Sequence, residues 1–186
     1  MSTEALGSIL LVLARNAIAR HLGLHQTTQP DMSFPALDQP GATFVTLTQH
    51  GELRGCIGSL EAHRPLSLDV QENAVAAAFH DPRFAPLSAS ECPRTRVEVS
   101  LLTAPQFMPL ANEADALAQL RPGEDGLIFQ VGHLRSTFLP QVWEQLPVPR
   151  QFLAHLKMKA GLPADFWSSD VRLFRYGVQK WKELQA

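Results

Sequence analysis

A chain of 186 residues, 45% of them hydrophobic, is long enough to bury a substantial core and suits a single domain, with room for a smaller subdomain. Its 16 basic and 18 acidic residues leave a net charge of −2 with no basic run, which argues against nucleic acid as a partner. Two cysteines without a Cys-x-x-Cys pair suit a reducing compartment and no structural zinc site. The longest apolar run near the start, residues 9–14, falls far short of the roughly 20 residues that span a bilayer. The expectation is a cytoplasmic protein without membrane segment, metal or resident cofactor.

Residues 4–22 carry Leu6, Leu10, Leu13, Ala17 and Ile18 at helical spacing, with Thr3 suited to cap the start and Gly23 to end the helix. His21 and His25 are four apart, but Gly23 breaks the register between them, so a metal pair is discounted. Residues 26–41 hold three prolines and read as a long surface excursion. The β-rich run 42–49 then turns at His50-Gly51 into a second strand, a hairpin.

That second strand is Glu52-Leu53-Arg54-Gly55-Cys56-Ile57-Gly58. Strand alternation puts Leu53, Gly55 and Ile57 on a core face and Glu52, Arg54 and Cys56 on the other. A guanidinium beside a thiol favours thiolate, and Gly55 and Gly58 leave the backbone open to close approach. The plainer reading is a cysteine acting as a small hydrophobe among glycines that allow close packing.

Ser67 suits the cap of a helix to about His80, with an apolar face of Leu66, Val70, Ala74, Ala77 and Ala78. Its alanines permit close docking onto the Cys56 strand. Asn73 adjoins that face, either solvated or bonded to the loop around Cys56. Asp81-Pro82-Arg83-Phe84 must end the helix and shape a turn. Cys92 falls in a loop before Pro93. Residues 96–102 alternate as a strand, with Arg96, Glu98 and Ser100 on the polar side; Glu98 is either a solvent-facing strand residue, the simpler reading, or, if the strand shares the sheet of Cys56, a partner for Arg54. Asn112 caps a short helix to about Leu120, and residues 126–138 form a hairpin turning at Gly132-His133. Gln141 follows as a possible polar contact. A helix from Pro149 to Lys159 turns Phe152, Leu153 and Leu156 inward and leaves Lys157 and Lys159 solvated. Residues 170–176 make a final strand, followed by a polar tail anchored by Trp181.

Taken together, Leu53-Arg54-Gly55-Cys56-Ile57-Gly58, Phe44-Val45-Thr46-Leu47, Asn73-Ala74, Asp81-Pro82-Arg83-Phe84, Val97-Glu98-Val99-Ser100, Gly126-Leu127, Leu139-Pro140-Gln141-Val142 and Lys159-Ala160-Gly161 resemble the AMMECR-domain proteins. In bacteria and archaea these are called the AmmeMemoRadiSam system protein A family. The likeness runs from the first helix to about Tyr176, with Ser59 standing where threonine is common. It implies an α+β fold, a largely antiparallel sheet flanked by helices, with a smaller subdomain and a cleft between them. It also implies a Memo-like protein and a radical SAM protein as partners. It supplies no reaction.

Two function classes stay open. In one, an enzyme uses Cys56 as nucleophile or metal ligand in that cleft. Arg54 lowers its pKa or holds an anion, Gly55 and Gly58 offer N–H groups, His80 is the available base and Glu98 a neighbouring carboxylate. In the other, a binding or accessory subunit meets its partners through Gly55, Gly58, Asn73, Arg54, Asp81, Arg83 and Gln141, with Cys56 structural.

Overall fold

The structure is a computed structural model that describes residues 3–25 and 28–184. It is α+β, with four α-helices and antiparallel sheets, and it divides into two compact units. The first unit runs through Leu102 and resumes at Gln179; the second is Thr103–Val178.

In the first unit α1 (Thr3–His21) and α2 (Leu66–Phe79) pack on one face of a four-stranded sheet. Its strands are β2 (Thr43–Gln49), β3 (Glu52–Gly58), β5 (Arg96–Leu102) and β10 (Val178–Lys182), in the order β10-β5-β2-β3. Two-residue strands β1 (Pro40–Gly41) and β4 (Arg64–Pro65) pair beside it. The core is aliphatic: Leu10, Ile18, Leu37, Val45, Leu47, Val70, Val97 and Val99 are all fully enclosed. The alanines predicted for the inner face of α2 are buried there, so that helix sits close to the strands.

The second unit has β6 (Gln106–Met108), β7 (Gly126–Val131), β8 (Leu134–Phe138) and β9 (Arg172–Tyr176) in the order β6-β9-β7-β8. Helices α3 (Glu113–Gln119) and α4 (Pro149–Lys159) complete it. Here the core is aromatic: Trp143 stacks on Phe152 with centroids 3.8 Å apart, alongside Phe129, Leu156 and Leu173. Asn112 caps α3 as expected, its side chain accepting from Asp115 N–H. Among the described residues no helix is long and apolar enough to cross a membrane.

Several local expectations change. The start of the predicted excursion, Gln26 and Thr27, lies outside the described residues, but the rest is not all surface: a 3-10 turn at Pro35–Asp38 buries Leu37 completely. Helix α2 starts at Leu66 behind Pro65 with no side-chain cap, so Ser67 lies inside its first turn. The polar tail is a strand, because Trp181 goes into the core against Gly7 and the chain beside it pairs with β5. Lys157 is buried rather than solvated: its ammonium pairs with Glu113, lies 3.3 Å from the Ala164 carbonyl and 5.5 Å from the Trp167 ring centre.

Candidate functional site

Strand β3 forms the outer edge of its sheet. What presses it against α2 is Gly55: a Cβ there would fall 2.1 Å from the Ala77 carbonyl oxygen, so helix backbone lies directly on strand backbone. Gly58 makes similar room, with the Phe44 ring 2.3 Å from where its Cβ would be. The hairpin turn that leads into β3 has positive φ at both His50 (52°) and Gly51 (85°), the geometry of a tight two-residue hairpin.

Pairing across the hairpin is not uniform. Leu47 faces Gly55 but Thr48 faces Leu53, so Arg54 has no residue opposite it and bulges. The bulge breaks simple alternation. Leu53, expected in the core, is 44% exposed, and Arg54 is directed to Glu91 rather than Glu98. Arg54 Nε lies 3.1 Å from Glu91 Oε1, and Nη2 lies 3.4 Å from Oε2. Glu91 also accepts from Ser88 N–H at 2.9 Å and Ser88 Oγ–H at 2.8 Å. The Ser88 backbone N–H, then the Arg54 guanidinium, push the Glu91 carboxyl down to about 2. Glu98 pairs instead with Lys182, Oε2 to Nζ 3.4 Å.

Cys56 stands opposite Thr46, which stands opposite Glu98, one row across three strands. The thiol is half-buried and lies 3.3 Å from the Thr46 hydroxyl. Because β3 has no outer neighbour, the main chain of Cys56 is met by side chains. Its N–H donates to Asp81 Oδ2 at 2.9 Å, and Arg83 Nη2 reaches its carbonyl at 3.4 Å. Asp81 is buried and holds Arg83 in a fork: Nε donates to Oδ1 at 3.0 Å and Nη2 to Oδ2 at 2.7 Å. The Arg83 guanidinium, helped by the Cys56 N–H and opposed by burial, holds the Asp81 carboxyl well below the usual carboxylate range. The Arg54 and Arg83 guanidinium carbons lie 5.9 and 5.4 Å from the centre of the Phe84 ring. The result is a compact cluster of Cys56, Thr46, Arg54, Glu91, Asp81, Arg83 and Phe84.

Other residues singled out from sequence sit elsewhere. His80, exposed at the end of α2, lines a groove with Ala17, Arg20 and His21 of α1 and makes no side-chain hydrogen bond to the cluster. His21, discounted as a metal ligand, stacks on Phe79 with centroids 4.1 Å apart. Gln141 is exposed on a 3-10 turn of the second unit. Asn73 is buried and donates to the Thr43 carbonyl at 3.0 Å and Ser59 Oγ at 3.1 Å, which ties α2 to the start of β2 and the end of β3. Sequence reasoning passed over Thr46 as a partner of Cys56, and Glu91 altogether. A two-residue hairpin turn counts Gly55, not Cys56, opposite Thr46, and nothing local joins Arg54 to a residue 37 positions away.

The profile of the AMMECR1 family matches residues 11–181. The chain belongs to that family. Relatives include a protein of Methanothermobacter thermautotrophicus, 39% identical over 95% of this chain and 94% of its own length. A protein of Saccharolobus solfataricus is 38% identical over 97% of this chain and 82% of its own. The crystal structure of an uncharacterized protein from Pyrococcus horikoshii superposes with a TM-score of 0.77 at 32% identity, covering 98% of this chain and 93% of that one. The segment Arg54-Gly55-Cys56 thus sits at a bulged sheet edge whose outward main chain is held by Asp81 and Arg83.

Proposed function

We propose that this AMMECR1 protein is a binding or accessory subunit that acts with Memo-like and radical SAM partners through the surface around Cys56. The observation that carries this is the prior commitment of the charged groups in the Cys56 cluster. Arg54 is neutralised by Glu91, Asp81 is spent on Arg83 and the Cys56 N–H, and the thiol itself meets a hydroxyl. A nucleophilic thiol needs a base or an uncompensated cation beside it. A recognition surface needs fixed, partly exposed groups. Arg83, 54% exposed at its side chain and locked by a buried carboxylate, with the Phe84 ring beneath it, fits that need.

Co-expression of the tagged chain with each partner, followed by affinity capture, tests it. Capture is expected to survive Cys56→Ser and to fall at least about tenfold with Arg83→Glu. Failure to capture either partner, or capture indifferent to Arg83→Glu, overturns the reading. The catalytic alternative makes a different forecast: iodoacetamide would modify Cys56 in the folded protein faster than in the urea-unfolded chain. Cys92 is no yardstick, since burial at 5% exposure slows it by itself.

A further inference from the structure

We propose that the first unit carries a second, unrelated binding site: a cavity of about 810 Å³ that takes a phosphorylated small molecule. It is walled by Arg15 of α1, by His25 after that helix, by His50 in the hairpin turn, by Arg94 and Arg96 around the start of β5, and by Glu183. Among the described residues three arginines and two histidines thus line it with one carboxylate, in a chain whose overall charge is −2 with histidine neutral.

The carboxylate is already used. Glu183 accepts from Arg15 Nε at 2.9 Å, pairs with Arg15 Nη2, and takes Val97 N–H at 2.8 Å. Arg15 gives its remaining donors to the carbonyls of Cys92, 3.0 Å, and Thr95, 2.6 Å. These two therefore build the wall and cancel each other's charge. Arg96 donates Nε and Nη2 to the Glu183 carbonyl, leaving Nη1 without a partner among the described residues. Arg94 is exposed and its side chain has neither hydrogen bond nor ion pair among them; His25 and His50 are exposed too.

Two guanidinium groups without a carboxylate partner around one hollow make a local positive field, and two imidazoles beside them add hydrogen-bonding groups. Concave walls focus such a field, and the guanidinium fork matches phosphate oxygens. Leu24 and Pro93 add apolar wall beside the charge, which suits an organic phosphate over a free ion. No residue of this cavity belongs to the Cys56 cluster, although Glu91 of that cluster accepts at its carbonyl from Arg94 N–H at 3.1 Å and Thr95 Oγ–H at 2.9 Å, so the control variant is taken from the second unit.

The experiment is calorimetric titration of the full chain with pyrophosphate and with adenosine monophosphate at about 50 mM salt. Saturable 1:1 binding is expected for both, with the nucleotide at least as tight as the more highly charged pyrophosphate because of the apolar wall. Arg94→Gln, at a side chain with no partner to lose, is expected to weaken it about tenfold. His50→Asn, which keeps a residue tolerant of positive φ, weakens it by a smaller factor. Arg150→Gln, at an exposed cation of the second unit, leaves it unchanged. Absence of saturable binding for both probes, binding indifferent to Arg94→Gln, or loss with Arg150→Gln overturns the assignment.

Discussion

Asp69 shows how much one side chain can hold. It stands in the first turn of α2, where an acid complements the helix dipole, yet it is fully enclosed. Its two oxygens accept from Thr43 N–H and Oγ–H, both 2.7 Å, Ser59 Oγ at 2.6 Å, Arg64 Nε at 2.8 Å and Asn73 Nδ2 at 3.0 Å. That set ties the start of β2, the end of β3 and the turn into α2 to a single carboxylate. Removing it strands buried donors and the Arg64 charge, the costly direction of breaking such a network. Asp69→Ala is therefore expected to cost about 3 kcal/mol or more in urea denaturation. A loss under about 1 kcal/mol would show that water replaces the carboxylate.

At the scale of elements, the contact of β3 with α2 depends on backbone meeting backbone. Gly55→Ala would drive a methyl to within 2.1 Å of the Ala77 carbonyl, and neither partner is a flexible side chain that can yield. About 2 kcal/mol or more is expected, at the upper end of overpacking costs. Gly51→Ala provides the contrast. Its φ is 85° with open space around it, so only local backbone strain of about 1 kcal/mol applies. Thermal melts of the two variants side by side decide the matter, and equal destabilisation would refute direct backbone docking. The hairpin also shows where alternation misleads. Counting from the His50-Gly51 turn places Leu47 opposite Arg54, and the bulge moves it opposite Gly55. A bulge reflects which residues the two strands must bury, not a motif in either strand.

For the whole molecule, the carboxylates of the candidate site predict acid behaviour. Glu91 lies near 2 instead of its ordinary 4.5, and Asp81 is held lower still. A carboxyl depressed in the folded state adds stability that is complete above its unfolded value and is lost as pH falls through the folded one. Stability is thus expected to be level above about pH 5 and to decline toward pH 2, with Glu91→Gln flattening part of that decline. Urea midpoints across this range measure it, and identical slopes for the variant and the parent chain would exclude Glu91 as a contributor. Closure of the first unit rests on the returning end of the chain. Trp181 is 9% exposed, against Gly7 of α1. Trp181→Ala is expected to cost about 3 kcal/mol, and cold-shifted melting is its signature.

Local chemistry carried much of this protein in the sequence. The hairpin at Gly132-His133, the strand 96–102, the Asn112 cap and the helix from Pro149 to Lys159 follow from alternation, turn residues and proline placement, each readable within a few positions. The resemblance carried by Leu53 to Gly58 and the other matching segments also pointed to the family that the profile shows. Tertiary structure alone decided that Arg54 meets Glu91, that Asp81 and Arg83 occupy the outer edge of Cys56, and that Trp181 closes a sheet begun more than a hundred residues earlier. Those pairings join residues far apart in the chain, whose partners are chosen by burial and by which backbone groups lack a neighbouring strand. No short window of sequence contains that information.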